Sequence, residues 1–409
     1  MNNASQAQTV DIGMQRSRHW NTLFFLAGVL GITVFFHIRI EKPAFRLDFQ
    51  QFYIVGHMIA DGQGARIYDM SAQAAYQMRY VDASRPVDFP DAPFLYPAGT
   101  ALPFVALAWL PLNVAYAVWT ALNLLLLWRT ARLLQREAIL PDNDWPLIAV
   151  ITSAPIVFCL LHGQLSILAL FLCTTSFVLM RRGRIFLAGL AVGLIAIKFQ
   201  LMLGFVAIML FRRCWRFVAG AAVGGACIAI LSALVVGERQ FLKYPEFLRQ
   251  YAYHPRVAMP ELMVNIRGLL CFASGHESPI WVVAGISAVL ILGAAFFWRN
   301  QEEGFALAMI VTVLTAYHAY PQELTLFLLP LALAVRGIDW SLPRTLVVLI
   351  GMPILTFVPL ILRWHGITGV LAGLILTVVL WRKREQTAGA LAGAERAENV
   401  VAPAVRTRE

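Results

Sequence analysis

The sequence predicts an all-α protein threaded through a membrane by about twelve helices, and three observations carry that prediction. Of its 409 residues, 59% are hydrophobic and only 14% charged, against about 25% charged in soluble domains. A bilayer core about 30 Å thick takes roughly 20 apolar residues per helix, and such runs recur along the whole chain, giving a mean hydropathy of +0.68. The basic residues fall in short clusters between the runs, as cytoplasmic anchors do.

The elements follow in order. A first span at 20–40 comes after Arg16 and Arg18 and before Glu41, Lys42 and Pro43. It has no small-residue cleavage site, so it reads as a retained anchor behind a cytoplasmic segment 1–19. Residues 41–97 form the first outer loop. Within it, DFQQFYIVGHMIADG reads as an amphipathic surface helix with Phe49, Phe52, Tyr53, Val55, Met58 and Ile59 on its apolar side, stopping at Gly62. Segment 98–110 lies between Pro97 and Pro111 and is too short to span, so it reads as a re-entrant or interfacial piece.

Spans are then expected near 112–134, 145–161, 165–180, 185–198, 200–211, 215–236, 280–298, 304–318, 322–336, 344–360 and 365–381. The pair 185–198 and 200–211 is short, about 20 Å each at helical rise. It forms either one tilted helix or a hairpin, and arginines at both ends favour the hairpin. The loop 237–279 carries a second interfacial helix at 238–251, where aromatics alternate with charges. One transmembrane domain therefore fills 20–381, and 382–409 reads as a disordered cytoplasmic tail. This scheme puts both termini and every arginine cluster on the inner side.

Several classes of function are excluded. The net charge of +10 resides in the anchors and does not indicate nucleic acid. Cys159, Cys173, Cys214, Cys227 and Cys271 have no metal-like spacing and read as small core residues. No P-loop, dinucleotide fingerprint or serine-hydrolase elbow is present. The lack of an internal repeat weakens a secondary-transporter reading without removing it.

The scheme gathers the chemically able residues on the outer side. Asp48 can act as a general base at the membrane surface, or it can cap the helix that begins beside it. Lys198 lies in an apolar run, where a lysine costs roughly 2.5–3.5 kcal/mol and so faces a cavity or a partner. It can hold a phosphate as a point charge, with Gln200 as its expected polar neighbour. His162 and Gln164 flank Gly163 in a tight outer turn, and Gln164 can offer its amide to a sugar hydroxyl. His318, Gln322 and Glu323 bracket Pro321, where the histidine can donate to a phosphoryl oxygen. Arg363 and His365 are weaker candidates. The residues alone leave open a transferase, a lipid-linked-sugar flippase and a non-catalytic envelope scaffold.

Six strings, in order, resemble the family-87 glycosyltransferases: DFQQFYIVGHMIADGQGARIYD (48–69), FLYPAGTALPFVALAWLP (94–111), GQLSILALFL (163–172), AGLAVGLIAIKFQ (188–200), NIRGLL (265–270) and HAYPQELTLFLLP (318–330). Together they cover roughly 45–335. The resemblance implies the C-type glycosyltransferase architecture in a bacterial inner membrane, with the active site facing the periplasm. It implies a polyprenyl-phosphate sugar donor, mannose by default, and a lipid or glycan acceptor among the membrane lipids. Asp48 falls on the family's catalytic aspartate. His318 falls near the family's donor phosphate, where Lys198 is placed by its own burial argument, and Asn265 joins Gln164, His162, Gln200, Gln322 and Glu323 as a substrate-binding candidate. No cofactor is required, though a divalent metal is not excluded. Two departures stand out: Phe199 replaces the family's frequent proline, and Glu323 stands where Asp is common.

Overall fold

The computed structural model describes residues 47–82, 87–143, 145–251, 254, 257–338 and 341–383. The first span at 20–40, the segment before it and nearly all of the tail lie outside the described residues. Among those residues every regular element is helical and no strand occurs.

Helix α1 (Leu47–Ala60) opens the first outer loop and α2 (Met70–Tyr80) follows it. The expectation of a one-sided surface helix needs correction. Phe49, Phe52, Val55 and Met58 are fully buried as expected, but Gln50, Gln51 and Ile54 are buried as well. Segment 98–110 packs on the expected apolar face, where Gly56 lies against the backbone of Phe104 and Phe49 and Phe52 meet its ring. The short 3-10 turn Ala98–Ala101 and helix α3 (Leu102–Leu107) thus roof α1 over. Ten residues reach only about 15 Å, half a bilayer core, and Trp109 stands exposed where the piece ends.

Next come α4 (Leu112–Arg136), α5 (Trp145–Ile151), α6 (Ala154–His162) and α7 (Ser166–Arg181). Helices α5 and α6 meet at 63°. Helix α8 (Ile185–Gly193) tightens into a 3-10 turn over Leu194–Lys198, followed by α9 (Gln200–Phe211) and α10 (Trp215–Val236). The amphipathic α11 (Glu238–Tyr251) and the short α12 (Ile266–Ser274) make up the second outer loop. The chain ends with α13 (Ile280–Phe297), α14 (Gln301–Thr315), a 3-10 turn Pro321–Phe327 running into α15 (Leu328–Val335), α16 (Leu342–Ile361) and α17 (His365–Lys383).

Among the described residues five helices are long and apolar enough to cross a membrane, or six with the bent α5–α6 pair. Several further apolar helices, among them α7, α9 and the 185–198 segment, are shorter. The single-helix alternative for 185–211 is resolved by packing. Gly189 lies against Phe217 and Gly193 against Ala221, so four residues forward on α8 match four forward on α10. The two helices therefore run in the same direction, and α9 must bring the chain back between them. A hairpin results, with Lys198 at its tip.

These glycines permit backbone-to-backbone approach. A Cβ at Gly189 would drive into the Phe217 carbonyl. Gly189→Val is expected to destabilise the fold by about 1–3 kcal/mol through overpacking, read as a lower thermal midpoint of the detergent-solubilised protein. An unchanged midpoint would show that the two helices can part without loss.

The helices carry polar groups at opposite ends. Arg181 and Arg182 pair with Glu137, and Arg181 and Arg336 both reach Glu302. Helix α7 runs from Ser166 to Arg181, so this ion-pair network lies about 23 Å from the end where the candidate residues meet.

Candidate active site

The site is built on the turn between α6 and α7. Gly163 takes a left-handed φ of 69° and ends α6 by donating its amide to the Cys159 carbonyl. Its own carbonyl accepts from Trp119 Nε1 at 2.9 Å. Phe49 packs on its open face: a Cβ on residue 163 would come within 2.6 Å of Phe49 Cβ. The start of α1 is thereby pressed onto the turn, and Asp48 lies beside His162. The Asp48 carboxylate sits 3.3 Å from His162 Nδ1 and accepts from Gln51 Nε2 at 3.3 Å. It lies inside the first turn of α1, which begins at Leu47. The expected capping role is therefore corrected: the side chain faces other side chains, and its own exposure of 22% leaves it open to a ligand.

On the other side of Gly163, Gln164 turns inward. Its Oε1 accepts from Lys198 Nζ at 3.1 Å. Lys198 also donates to Ser166 Oγ at 3.2 Å and to Glu323 Oε1, with which it forms a buried ion pair. Ser166 Oγ in turn donates to the same Glu323 oxygen at 3.1 Å. Glu323 Oε2 accepts the Tyr320 amide at 2.6 Å, which fixes the start of the 3-10 turn. An ammonium has three donors, and all three are committed here. Lys198 as a free point charge for phosphate is thus corrected, because its charge is balanced by Glu323. Gln200 as its neighbour is corrected too: Gln200 is half-buried at the start of α9, and Gln164 takes the place expected of it.

The late turn 316–320 is stapled to the second outer loop. The Val264 amide donates to the Ala319 carbonyl at 2.8 Å, and Asn265 Nδ2 donates to the Ala316 carbonyl. Asn265 Oδ1 accepts the Gly268 amide at 3.0 Å as the cap of α12. Asn265 is fully buried, so its substrate-binding assignment is replaced by a structural one. Arg267, buried as well, stacks 4.3 Å from the Tyr317 ring centre and pairs with Glu277. His318 faces Tyr317 and Tyr320. Burial, with the Arg267 charge nearby, pushes its pKa down to about 3. It is therefore a neutral donor at working pH. Gln322 is buried, and its backbone carbonyl accepts from Cys159 Sγ at 3.5 Å.

Residues that sequence reasoning missed complete the site. Ser166 stands two places after Gln164, a lone hydroxyl opening an apolar helix. Tyr96 comes from the strap 87–97, which α2 holds by side-chain amides. Gln73 bonds the Phe94 amide at 2.9 Å and Gln77 bonds Asp91 in both directions. Tyr68 donates to the Tyr96 carbonyl at 3.2 Å, and the ring packs between Phe52 and Phe94. The Tyr96 hydroxyl reaches Gln164 Oε1 at 3.5 Å. Arg267 was visible only as a charged residue in an otherwise apolar short helix.

Asp48, His162, Gln164, Lys198 and Glu323 therefore form one continuous patch, with His318 joined to it through Tyr320. Only Gly163 separates His162 from Gln164, at most about 7 Å between their Cα atoms. Among the described residues no three His, Cys, Asp or Glu side chains converge as metal ligands would.

Comparison with known families gives one match, to the model described as glycosyltransferase family 87, over residues 94–321. The matched segment holds Tyr96, His162, Gln164, Lys198 and His318, while Glu323 lies just past its end and Asp48 well before its start. No curated protein and no solved structure matches the chain. Since the family model covers more than half of the sequence, and the fold supplies several apolar helices of spanning length, this chain belongs to glycosyltransferase family 87 and is a membrane glycosyltransferase.

Proposed function

We propose that the protein moves a hexose, mannose by default, from a polyprenyl phosphate to a hydroxyl of a lipid or glycan at the outer face of a bacterial inner membrane. The observation that carries this reading is the Asp48 carboxylate, held by His162 and Gln51 and still open, on the same turn that carries Gln164 to the Lys198–Glu323 pair.

The step is an inverting displacement. The acceptor oxygen attacks the anomeric carbon while Asp48 takes its proton, and the bond to the phosphate oxygen breaks with its electron pair leaving on phosphate. A β-linked donor then gives an α-linked product. His162 orients the base. The buried pair, neutral as a whole, holds Gln164 and the 321–327 turn at fixed positions around the reacting atoms. Neutral His318 offers an N–H to the departing phosphate, a form of preorganised stabilisation that is strongest in a dry site.

The C-type architecture and twelve crossings belong to the same reading. Ten apolar segments from α4 to α17, counting α5–α6 as one and leaving out the outer-loop helices, are joined by α14 and by the span expected at 20–40. Its support is the even number, which returns the chain to the side where it started.

The test is transfer by the purified protein in liposomes of native-membrane lipids, offered radiolabelled polyprenyl-phosphate hexoses in turn. Labelled product soluble in organic solvent and distinct from the donor is expected with the mannosyl donor. Movement of the donor between leaflets without any new product would assign a flippase instead.

A further inference from the structure

We propose that Tyr96 is a substrate-contacting residue whose hydroxyl donates a hydrogen bond to the phosphate oxygen released in the transfer step. This rests on the glycosyl-transfer reading above and assigns a residue that neither the base nor the buried pair supplies.

The first argument is one of vacancy in function. Lys198 has its three donors on Gln164, Ser166 and Glu323, and its charge is balanced there. An anion that gains charge as the anomeric bond breaks is held better by several donors, and the His318 N–H supplies only one of them. Tyr96 is positioned to be one. Its hydroxyl holds Gln164 Oε1 at 3.5 Å, the long limit of a hydrogen bond, so a better acceptor would displace that contact at little cost.

The second argument is position. Tyr96 lies within electrostatic reach of Lys198, Asp48 and Glu323 together, and its bonded partner is the residue that touches Lys198. It contacts Gln164, and one residue back across Gly163 His162 touches the base.

The third is chemistry. Burial above all pushes the phenol up to about 12, so it keeps its proton and adds no negative charge beside a phosphate. No proton need move: the hydrogen bond shortens as charge builds, and the phosphate leaves as an anion. The ring is fixed by Phe52 and Phe94 and the backbone by Tyr68, so the donor is preorganised.

Tyr96→Phe deletes the hydroxyl and keeps the ring. With polyprenyl-phosphate mannose in native-lipid liposomes, kcat is expected to fall about a hundredfold while KM for the donor stays within about threefold, because the bond matters most in the transition state. The thermal midpoint should stay near wild type. Tyr68→Phe loosens the same strap from behind without touching the site and should keep kcat within about threefold. Asp48→Asn, run alongside, reports on the reading beneath the proposal. If Asp48→Asn abolishes transfer but Tyr96→Phe keeps its kcat, or loses only donor affinity, the Tyr96 assignment is overturned alone. If Tyr68→Phe reproduces the Tyr96→Phe loss, the effect is strap mobility and the assignment is equally overturned. If wild type transfers no hexose from any polyprenyl phosphate, both readings fall.

Discussion

Asp48→Asn is expected to cut sugar transfer by about 10²–10⁴-fold while leaving donor binding and the thermal midpoint close to wild type. The amide has the shape of the carboxylate and can still accept from Gln51, so the packing of Phe49 on Gly163 has no reason to change. What is lost is the ability to take a proton from the acceptor. The measurement is single-turnover transfer from a radiolabelled polyprenyl-phosphate hexose, with donor binding followed separately. Residual transfer above about a tenth of the wild-type rate would remove Asp48 from the role of base. His162, whose Nδ1 touches the carboxylate, would then be the group to examine, in an arrangement where aspartate orients a histidine base.

The second large effect belongs to the buried ion pair. Lys198→Met leaves Glu323 charged and enclosed with only Ser166 Oγ and the Tyr320 amide for company. Removing one partner of a buried pair costs about 3–5 kcal/mol, whereas replacing both with apolar groups is often neutral. The single variants Lys198→Met and Glu323→Met are therefore expected to lose detergent stability heavily, and the double variant to recover most of it. Transfer activity should stay low in all three, since Gln164 loses its donor wherever Lys198 is replaced and the 321–327 turn loses the carboxylate that holds the Tyr320 amide wherever Glu323 is. A double variant no more stable than the singles would mean that Ser166, Gln164 and Tyr320 depend on the charges themselves. A smaller effect concerns the turn: Gly163→Ala should lower transfer without removing any functional group, because its Cβ meets Phe49 and its φ of 69° is unfavourable for alanine.

The sequence carried much of this in readable form and hid the rest for identifiable reasons. Runs of apolar residues ending at arginines located most helices from 112 onward to within a few residues. The glycines of α8 and α10 were visible, but which backbone each would meet was not. Lys198 in an apolar run announced that a partner existed. Its partner lies 125 residues on, and Glu323 had been read only as a substrate group beside Pro321. Distance along the chain hides such pairs, because one sequence contains no record of contacts. The full burial of α1 was concealed differently. Its glutamines imply a wet face, yet Gln50 and Gln51 are buried, and its apolar face is roofed by 98–107, a segment read as peripheral because it cannot span. Tyr96 escaped notice because an aromatic beside a proline at an interface has many ordinary uses. Asn265 erred the opposite way: a polar residue in a matching string was read as binding when it caps α12.

The single glycine at 163 has one more consequence, concerning tolerance to motion. Helices α6 and α7 can tilt or breathe in a fluid bilayer, yet the residue that orients the base and the residue that touches the buried lysine ride on the same three-residue bend. Any shift of the bend moves both alike. The separation between His162 and Gln164 thus behaves like the fixed jaw width of a gauge, decoupled from the slower movement of the helices around it. Acceptors of different bulk can then be admitted by the surrounding loops without resetting that separation. In such a protein, changes in acceptor preference belong to the outer loops, and the bend itself is where no change is neutral.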